Sequence, residues 1–437
     1  MARRPHIIYL HSHDTGREIG PCGSAIATPA LDRLAAEGLT LRNCHCAAPT
    51  CSPSRAALLT GGWPHQTGML GLAHRGFRLS HPQHHLSNML AGAGYRTVLC
   101  GIQHESADGS DLGYQECPTG GRQNDWETTA AALTTLRDHA NREQPLFLSV
   151  GWFATHRWAN GDPEDFPGEG PTPDPRHLRP PVPLPDHPRA RGDYARFVRS
   201  VSFLDAQIGQ VLDCIDELGL GDDCLLLCTT DHGLAFPHMK CNLTSHGTGV
   251  FCQWRWPGHI TPGSVSDSLV SHVDCYPTLC AAAGLPIPSH SVGHDLQPLF
   301  RDPAAPIRDY VFSEVSYHAA YEPMRMIRDQ RHLLIRRYPG AQRRVLANCD
   351  RSPTRSLLQE QGWAQDALPE AMLIDALRDP SEMVDQRTVD HDNHQRLSAA
   401  LDAWQEATDD PLRSGAISAP DGVKLTPPDA EDPAHIA

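Results

Sequence analysis

His6-Ile7-Ile8-Tyr9-Leu10-His11-Ser12-His13-Asp14 sets an apolar run of strand length directly against a cluster of imidazoles and a carboxylate. A run that is apolar at consecutive rather than alternate positions reads as a strand buried on both faces, as in a parallel sheet covered by helices. Working outward, the same pattern returns at Thr97 to Cys100, Leu146 to Val150 and Cys224 to Cys228. Amphipathic stretches separate these runs. Thr28-Pro29 opens one helix with a capping hydroxyl and a first-turn proline; Leu31, Leu34 and Ala35 form its stripe and Gly38 ends it. Gly192 to Gly219 reads as the longest helix, burying Val198, Val201, Leu204, Ile208, Val211 and Leu212. The alternation predicts an α/β fold with a large, mostly parallel sheet sandwiched by helices.

The chain has 437 residues, enough for one large domain and a smaller appendage. The expected organisation is a catalytic domain over 1–305, a C-terminal antiparallel α+β subdomain over 306–408 and a loose, Pro- and Asp-rich tail over 409–437. Within the subdomain, Met324 to Arg336 reads as two strands joined at Asp329-Gln330. Phe166 to Arg191 is crowded with Pro, Gly, Asp and His and reads as a long loop. The net charge of -15 argues against nucleic acid as a partner. The longest apolar runs fall short of the roughly 18 residues a membrane helix needs, and the first one is too short for a signal-peptide core. A cytoplasmic location is therefore expected, with the 14 cysteines as thiols.

Ligands of open α/β sheets bind beyond the carboxyl ends of the strands. Here those ends lead to His11-Ser-His13-Asp14, to His104, to His156-Arg157 and to Asp231-His232. Four strands thus deliver His or Asp to one edge, as a metal-assisted hydrolase requires. Thr50-Cys51-Ser52-Pro53-Ser54-Arg55 to Gly61 reads as a loop entering a helix, with Ser52 as its cap and Gly61 as its terminator. Cys51 then stands at a helix amino terminus, which favours an anion, and Arg55 adds a planar fork for two oxygens of a tetrahedral group. His11 and Arg17 read as groups orienting Asp14, and Asp274 as a structural cap.

At these residues the chain resembles the sulfatase family of the alkaline phosphatase superfamily. The signature C-x-P-S-R-x-x-x-L-T-G is met by Cys51, Pro53, Ser54, Arg55, Leu59, Thr60 and Gly61. Ala27 to Leu34, Thr230 to Gly233 and Leu377 to Glu382 extend the likeness. His65 to Met69, Gly71-Leu72 and Asp231 to Pro237 bring it nearest to the heparan N-sulfatase (sulfamidase)-like branch. The resemblance implies that Cys51 is oxidised to a formylglycine nucleophile and that Arg55 binds the anion. It also implies that Asp14 and Asp231 hold a metal, that His104 and His156 stand near the scissile ester, and that Lys240 binds sulfate oxygens with Arg55 and His156.

Three departures bear on the chemistry. His13-Asp14 stands where the family has two aspartates, and Asp231-His232 where it has Asp-Asn. The expected ligand set is therefore Asp14, Asp231, His232, His13 and Cys51 around one divalent ion. That ion is calcium by resemblance, with manganese or zinc admitted by the imidazoles. Ile102 occupies the position of a family lysine, so Gln103, Lys240 or another residue must supply its contact, or the substrate differs from a typical sulfate. The expected activity is hydrolysis of a sulfate ester or sulfamate on a small molecule or carbohydrate, after maturation by a formylglycine-generating enzyme. Asp231-His232 and the missing lysine motivate two alternatives, a phosphonate or phosphate ester hydrolase and a non-catalytic binder of sulfated ligands.

Overall fold

A computed structural model describes residues 4–121, 123–158 and 161–433. Among these, the strand order across the main sheet is Arg96–Gly101, Leu146–Gly151, His6–Ser12, Cys224–Thr230, Cys252–Arg255, Leu39–Leu41 and Ser264–Ser266. The first four run parallel. The mostly parallel sheet follows from the four doubly apolar runs read in the sequence, and each strand is a residue or two longer than its run. Ile8, Leu10, Val98, Leu148, Val150 and Leu226 pack on the side that receives the helices Pro29–Glu37 and Pro188–Glu217. Tyr9, Leu99, Phe147 and Leu227 pack on the opposite side with Leu58, Leu59 and Tyr276.

The long helix begins at Pro188, four residues earlier than the glycine boundary read in the sequence. His187 caps it by accepting from Arg189 N, and Pro188 occupies the first turn. The six predicted apolar positions are all buried. Thr28 does precede the first helix, but its hydroxyl accepts instead from Gly20 N at 2.9 Å. The amides of Ala30 and Leu31 bond the carboxylate of Asp205 on the long helix, so a neighbouring element supplies the cap.

After the parallel part, Val311–Tyr317, Tyr321–Arg328, His332–Arg337 and Ala371–Asp375 form a four-stranded antiparallel sheet covered by the helix His391–Ala407. Asp274 precedes the helix Cys275–Ala282 but does not cap it; its carboxylate accepts instead from Ser271 N, His294 N and Arg308. The tail departs from expectation: through residue 433 it lies along the body of the protein. Arg75 donates to Lys424 O and Thr426 Oγ1, Arg355 to Glu431 O, and Thr426 N to Ala319 O. Its composition is that of a loop, but buried guanidinium donors elsewhere in the chain require its carbonyls. Residues 434–437 lie outside the described residues.

The start of the tail is anchored by Arg325, fully buried, which donates to both oxygens of Asp410 at 2.7 and 2.9 Å. Asp410→Ala leaves this guanidinium with the carbonyls of Val315 and Met324 and, as its nearest carboxylate, Glu314 at 3.5 Å. The expected loss is about 3 kcal/mol of unfolding free energy, read by urea denaturation.

Candidate active site

The carboxyl ends of the parallel strands meet as expected, and their loops are stitched together by the backbone. His13 N donates to Ala154 O, Thr155 N to His13 O, and Gly16 N to His232 O. Asp14 is in the left-handed region, with φ 52°, a conformation Asp tolerates better than most residues. Glycine is needed at Gly151, where an added Cβ would stand 2.3 Å from His11 Cε1. The turn out of that strand therefore leaves room for the imidazole beneath the site.

Asp231 is the hub. Its Oδ1 accepts from the backbone amides of Asp14 and His232, both at 2.9 Å. Its Oδ2 accepts from Arg55 at 3.0 Å and lies 3.1 Å from His13 Nδ1. Burial alone would raise this carboxyl, but His232, Arg55 and His13 outweigh it and hold it well below the usual carboxylate range. His232 Nε2 lies 3.3 Å from Asp14 Oδ1 and 3.4 Å from Cys51 Sγ, and its Nδ1 is 2.9 Å from Gly233 O. With Nδ1–H donating to that carbonyl, Nε2 presents its lone pair to the centre.

One donor atom each from His13, Asp14, Cys51 and Asp231 lies within 4.8 Å of all the others, and all four residues are buried. Among the described residues His13 Nε2 has no polar partner, and Asp14 Oδ1 has none beyond His232 Nε2 at 3.3 Å. Buried polar atoms left in this way are costly unless something else satisfies them. Two carboxylates, an imidazole and a free imidazole edge at His232 fit a divalent cation that tolerates mixed oxygen and nitrogen donors. His13 thus joins the set by position, and His232 stands against it.

Cys51 begins the helix Cys51–Thr60, which Gly61 ends in the left-handed conformation. Ser52 is not its cap. Thr50 takes that position and sends its hydroxyl to His318 Nδ1 at 2.9 Å, while Ser52 Oγ accepts from Ala73 N. The first turn consequently has no side-chain cap, and its amides are left to other partners. Burial pushes the Cys51 thiol up, more than Lys240 and Arg55 pull it down.

Arg55 corrects the sequence reading. Its terminal nitrogens are engaged with His11 Nδ1 at 2.6 Å, Ser12 O at 2.8 Å and Asp231. The fork holds Asp231 and the end of the first strand instead of standing open for two oxygens of an anion. His11 therefore bears on Arg55, and Arg17 on Cys44 O and His45; neither orients Asp14.

Lys240 is the buried cation that faces the centre. Its Nζ donates to Asp14 Oδ2 at 3.0 Å, lies 3.2 Å from Asp350 Oδ2 and 3.4 Å from His156 Nε2. Burial would lower it, but Asp14 and Asp350 raise it well above the usual lysine value, so it stays an ammonium. His156 Nδ1 is 2.5 Å from Arg157 O, which places a proton on Nδ1 and leaves Nε2 to accept from Lys240. Burial and Lys240 together lower the His156 pKa. His104 Nε2 is 2.7 Å from His74 Nδ1, and the His13 ring centroid stands 6.3 Å from His104 and 5.5 Å from His156. Gln103 is excluded as a replacement for the family lysine. Its amide oxygen accepts from Glu105 N and Ser106 N, and its amide nitrogen donates to Ser106 O.

Asp350, His318 and His74 were not found by sequence reasoning. Asp350 and His318 come from loops of the antiparallel half, and His74 from a short turn after the motif helix, where no strand-end rule points.

A parallel sheet gathering carboxylates, imidazoles and a helix-terminal cysteine at one edge defines a hydrolase of the alkaline phosphatase-like fold. The chain belongs to the sulfatase family: the sulfatase family profile matches residues 5–285, and that of the N-sulphoglucosamine sulphohydrolase C-terminal region matches 245–361. It is 31% identical to N-sulphoglucosamine sulphohydrolase of Homo sapiens over 98% of this chain and 94% of that protein. It is 26% identical to an ulvan-active sulfatase of Formosa agariphila over 96% of this chain and 84% of that one. The fold is shared with a protein solved in complex with its substrate D-glucosamine-2-N,6-O-disulfate, at TM-score 0.69 and 18% identity, over 93% of this chain and 99% of that one. The protein is a sulfuric ester hydrolase of the sulfamidase-like branch.

Proposed function

We propose that the protein cleaves a sulfate ester or sulfamate on a saccharide, with Cys51, converted to formylglycine by a maturation enzyme, as the nucleophilic position. The observation that carries this reading is the buried cluster of His13, Asp14, Cys51 and Asp231 donor atoms, with His13 Nε2 unpartnered among the described residues. Asp14, Asp231 and His13, with His232 beside them, are the residues that would hold a divalent ion. Such an ion, when bound, supplies Lewis-acid charge to a sulfuryl oxygen and lowers the pKa of an oxygen nucleophile. The family's calcium, or manganese or zinc, remains the choice to be made by metal analysis.

The chain's own residues do the rest. Arg55 fixes Asp231, and Gly233 O sets the tautomer of His232, so the groups around the nucleophilic position are held in place before a ligand arrives. Lys240 holds positive charge against the transferred group in the place left by the family lysine at Ile102. The hydrogen bond from Lys240 Nζ to His156 Nε2 fixes that imidazole on the wall of the site, while Lys240 keeps its proton and its charge. His104, backed by His74, is the second imidazole on that wall.

Peptide mass spectrometry of protein co-produced with the maturation enzyme tests the nucleophile. Rates on sulfamate, aryl sulfate and phosphonate esters test the substrate, and a preference for phosphonate would overturn this reading. Lys240→Ala is expected to lower kcat/KM by about 10²–10³-fold, the cost of one donor aimed at developing charge. Lys240→Arg should retain part of the activity, and initial-rate kinetics separate the two.

A further inference from the structure

We propose that a cleft beside the His74–His104 pair is a second anion subsite, receiving a sulfate or carboxylate that the substrate carries in addition to the group cleaved. This rests on the saccharide reading above and adds a specificity determinant to it. The cleft is a hollow of about 580 Å³, lined among others by His74, Arg75, Arg78, Glu105, Asp111 and Lys424. It adjoins the catalytic centre through His74, which lines it and is bonded to His104 Nε2 at 2.7 Å. Ala73, next to His74, donates its amide to Ser52, the residue after Cys51.

Charge distinguishes this hollow. The chain carries a net charge of -15 and only two lysines, Lys240 at the centre and Lys424 here. Several exposed arginines elsewhere are matched with carboxylates, as in Arg42–Asp267 and Arg189–Glu360, both at 2.7 Å. Arg78 and Lys424 are exposed, and neither side chain has an ion-pair partner among the described residues. The acidic residues of the cleft are already engaged. Asp111 Oδ2 accepts from Ser106 Oγ at 2.9 Å, and Glu105 Oε2 from His104 N at 2.7 Å. Two unmatched cations lining a hollow that adjoins the reaction centre at His74 attract a second negative group on the same ligand.

Lys424 is held there by construction. Its amide donates to Arg75 O at 2.8 Å, and its carbonyl accepts from Arg75 Nη1 at 3.2 Å, so the turn after the motif helix and the tail fix each other. The tail therefore forms part of the wall of the substrate cleft.

The test is binding to full-length Cys51→Ala protein, which has no nucleophile, by titration calorimetry. The ligands are glucosamine N-sulfate, glucosamine N,6-O-disulfate and N-sulfoglucosamine linked to a uronic acid. At least one of the doubly charged sugars is expected to bind about 10-fold tighter than the singly charged one, with the gain shrinking in high salt. Which sugar gains tells a sulfate from a carboxylate preference. Arg78→Ala with Lys424→Ala should remove the gain, and Lys424→Glu should turn it into a penalty. Equal affinities for all three sugars, or a gain that survives the double substitution, would overturn the proposal. Since nothing here depends on turnover, failure of the sulfatase reading shows separately, as absence of the Cys51 aldehyde or of sulfate release by the unsubstituted protein.

Discussion

Cys51→Ala is expected to lower kcat/KM by about 10⁴-fold or more, the scale on which removal of a covalent nucleophile is felt. The fold should survive, because the side chain lost is small and its one hydrogen-bond contact is with His232 Nε2 at 3.4 Å. Circular dichroism and thermal unfolding should match the parent, while sulfate release falls to background. The same loss is expected for unsubstituted protein made without the maturation enzyme. Burial holds that thiol protonated, and a neutral thiol is a poor nucleophile. A Cys51→Ala protein that still turned over would place the chemistry on another residue.

Asp231→Ala is expected to cost both activity and stability. Asp231 binds two backbone amides and Arg55, so its removal leaves a buried guanidinium with only His11 and Ser12 O. Breaking a buried pair from one side costs about 3–5 kcal/mol. The sign with pH follows from its depressed folded-state pKa. In metal-free protein the carboxylate's stabilisation is fully present above the unfolded aspartate value of about 3.9 and is lost as pH falls toward the folded value. The gap between parent and variant in urea denaturation should therefore be flat from pH 7 to about 5 and narrow below 4. Activity should fall about 10³-fold, and metal retained after dialysis, read by elemental analysis, should fall with it. Full metal retention would remove Asp231 from the ligand set. Asp231→Asn, which keeps an acceptor for the two amides, should recover part of the stability and little of the activity.

Much of this was legible in the chain. Doubly apolar runs fall where strands lie buried on both faces, and a parallel strand buried on both faces hands its carboxyl-end residues to one edge. Asp14, His104, His156 and Asp231 could thus be named from strand ends, and Cys51 from its complete motif. The misreadings share a cause. Arg55 was read as an open fork and Ser52 as a cap because residue type and spacing show what a side chain can bond, while the nearest partner decides what it does. His11, Ser12 O and Asp231 claimed the guanidinium, and Ala73 N claimed the serine.

Local pattern by itself determined the four parallel strands, the two helices over one face and the edge at which the chemistry gathers, because hydrophobic period and strand length are properties of contiguous residues. Only the tertiary structure decided that Asp350 and His318 approach Lys240 and Thr50 from the antiparallel half. It also decided that a proline- and aspartate-rich tail becomes a wall carrying Lys424. Those contacts join residues more than a hundred positions apart. They are set by which buried donors lack a partner once the sheets have packed, a condition that does not exist until the chain is folded.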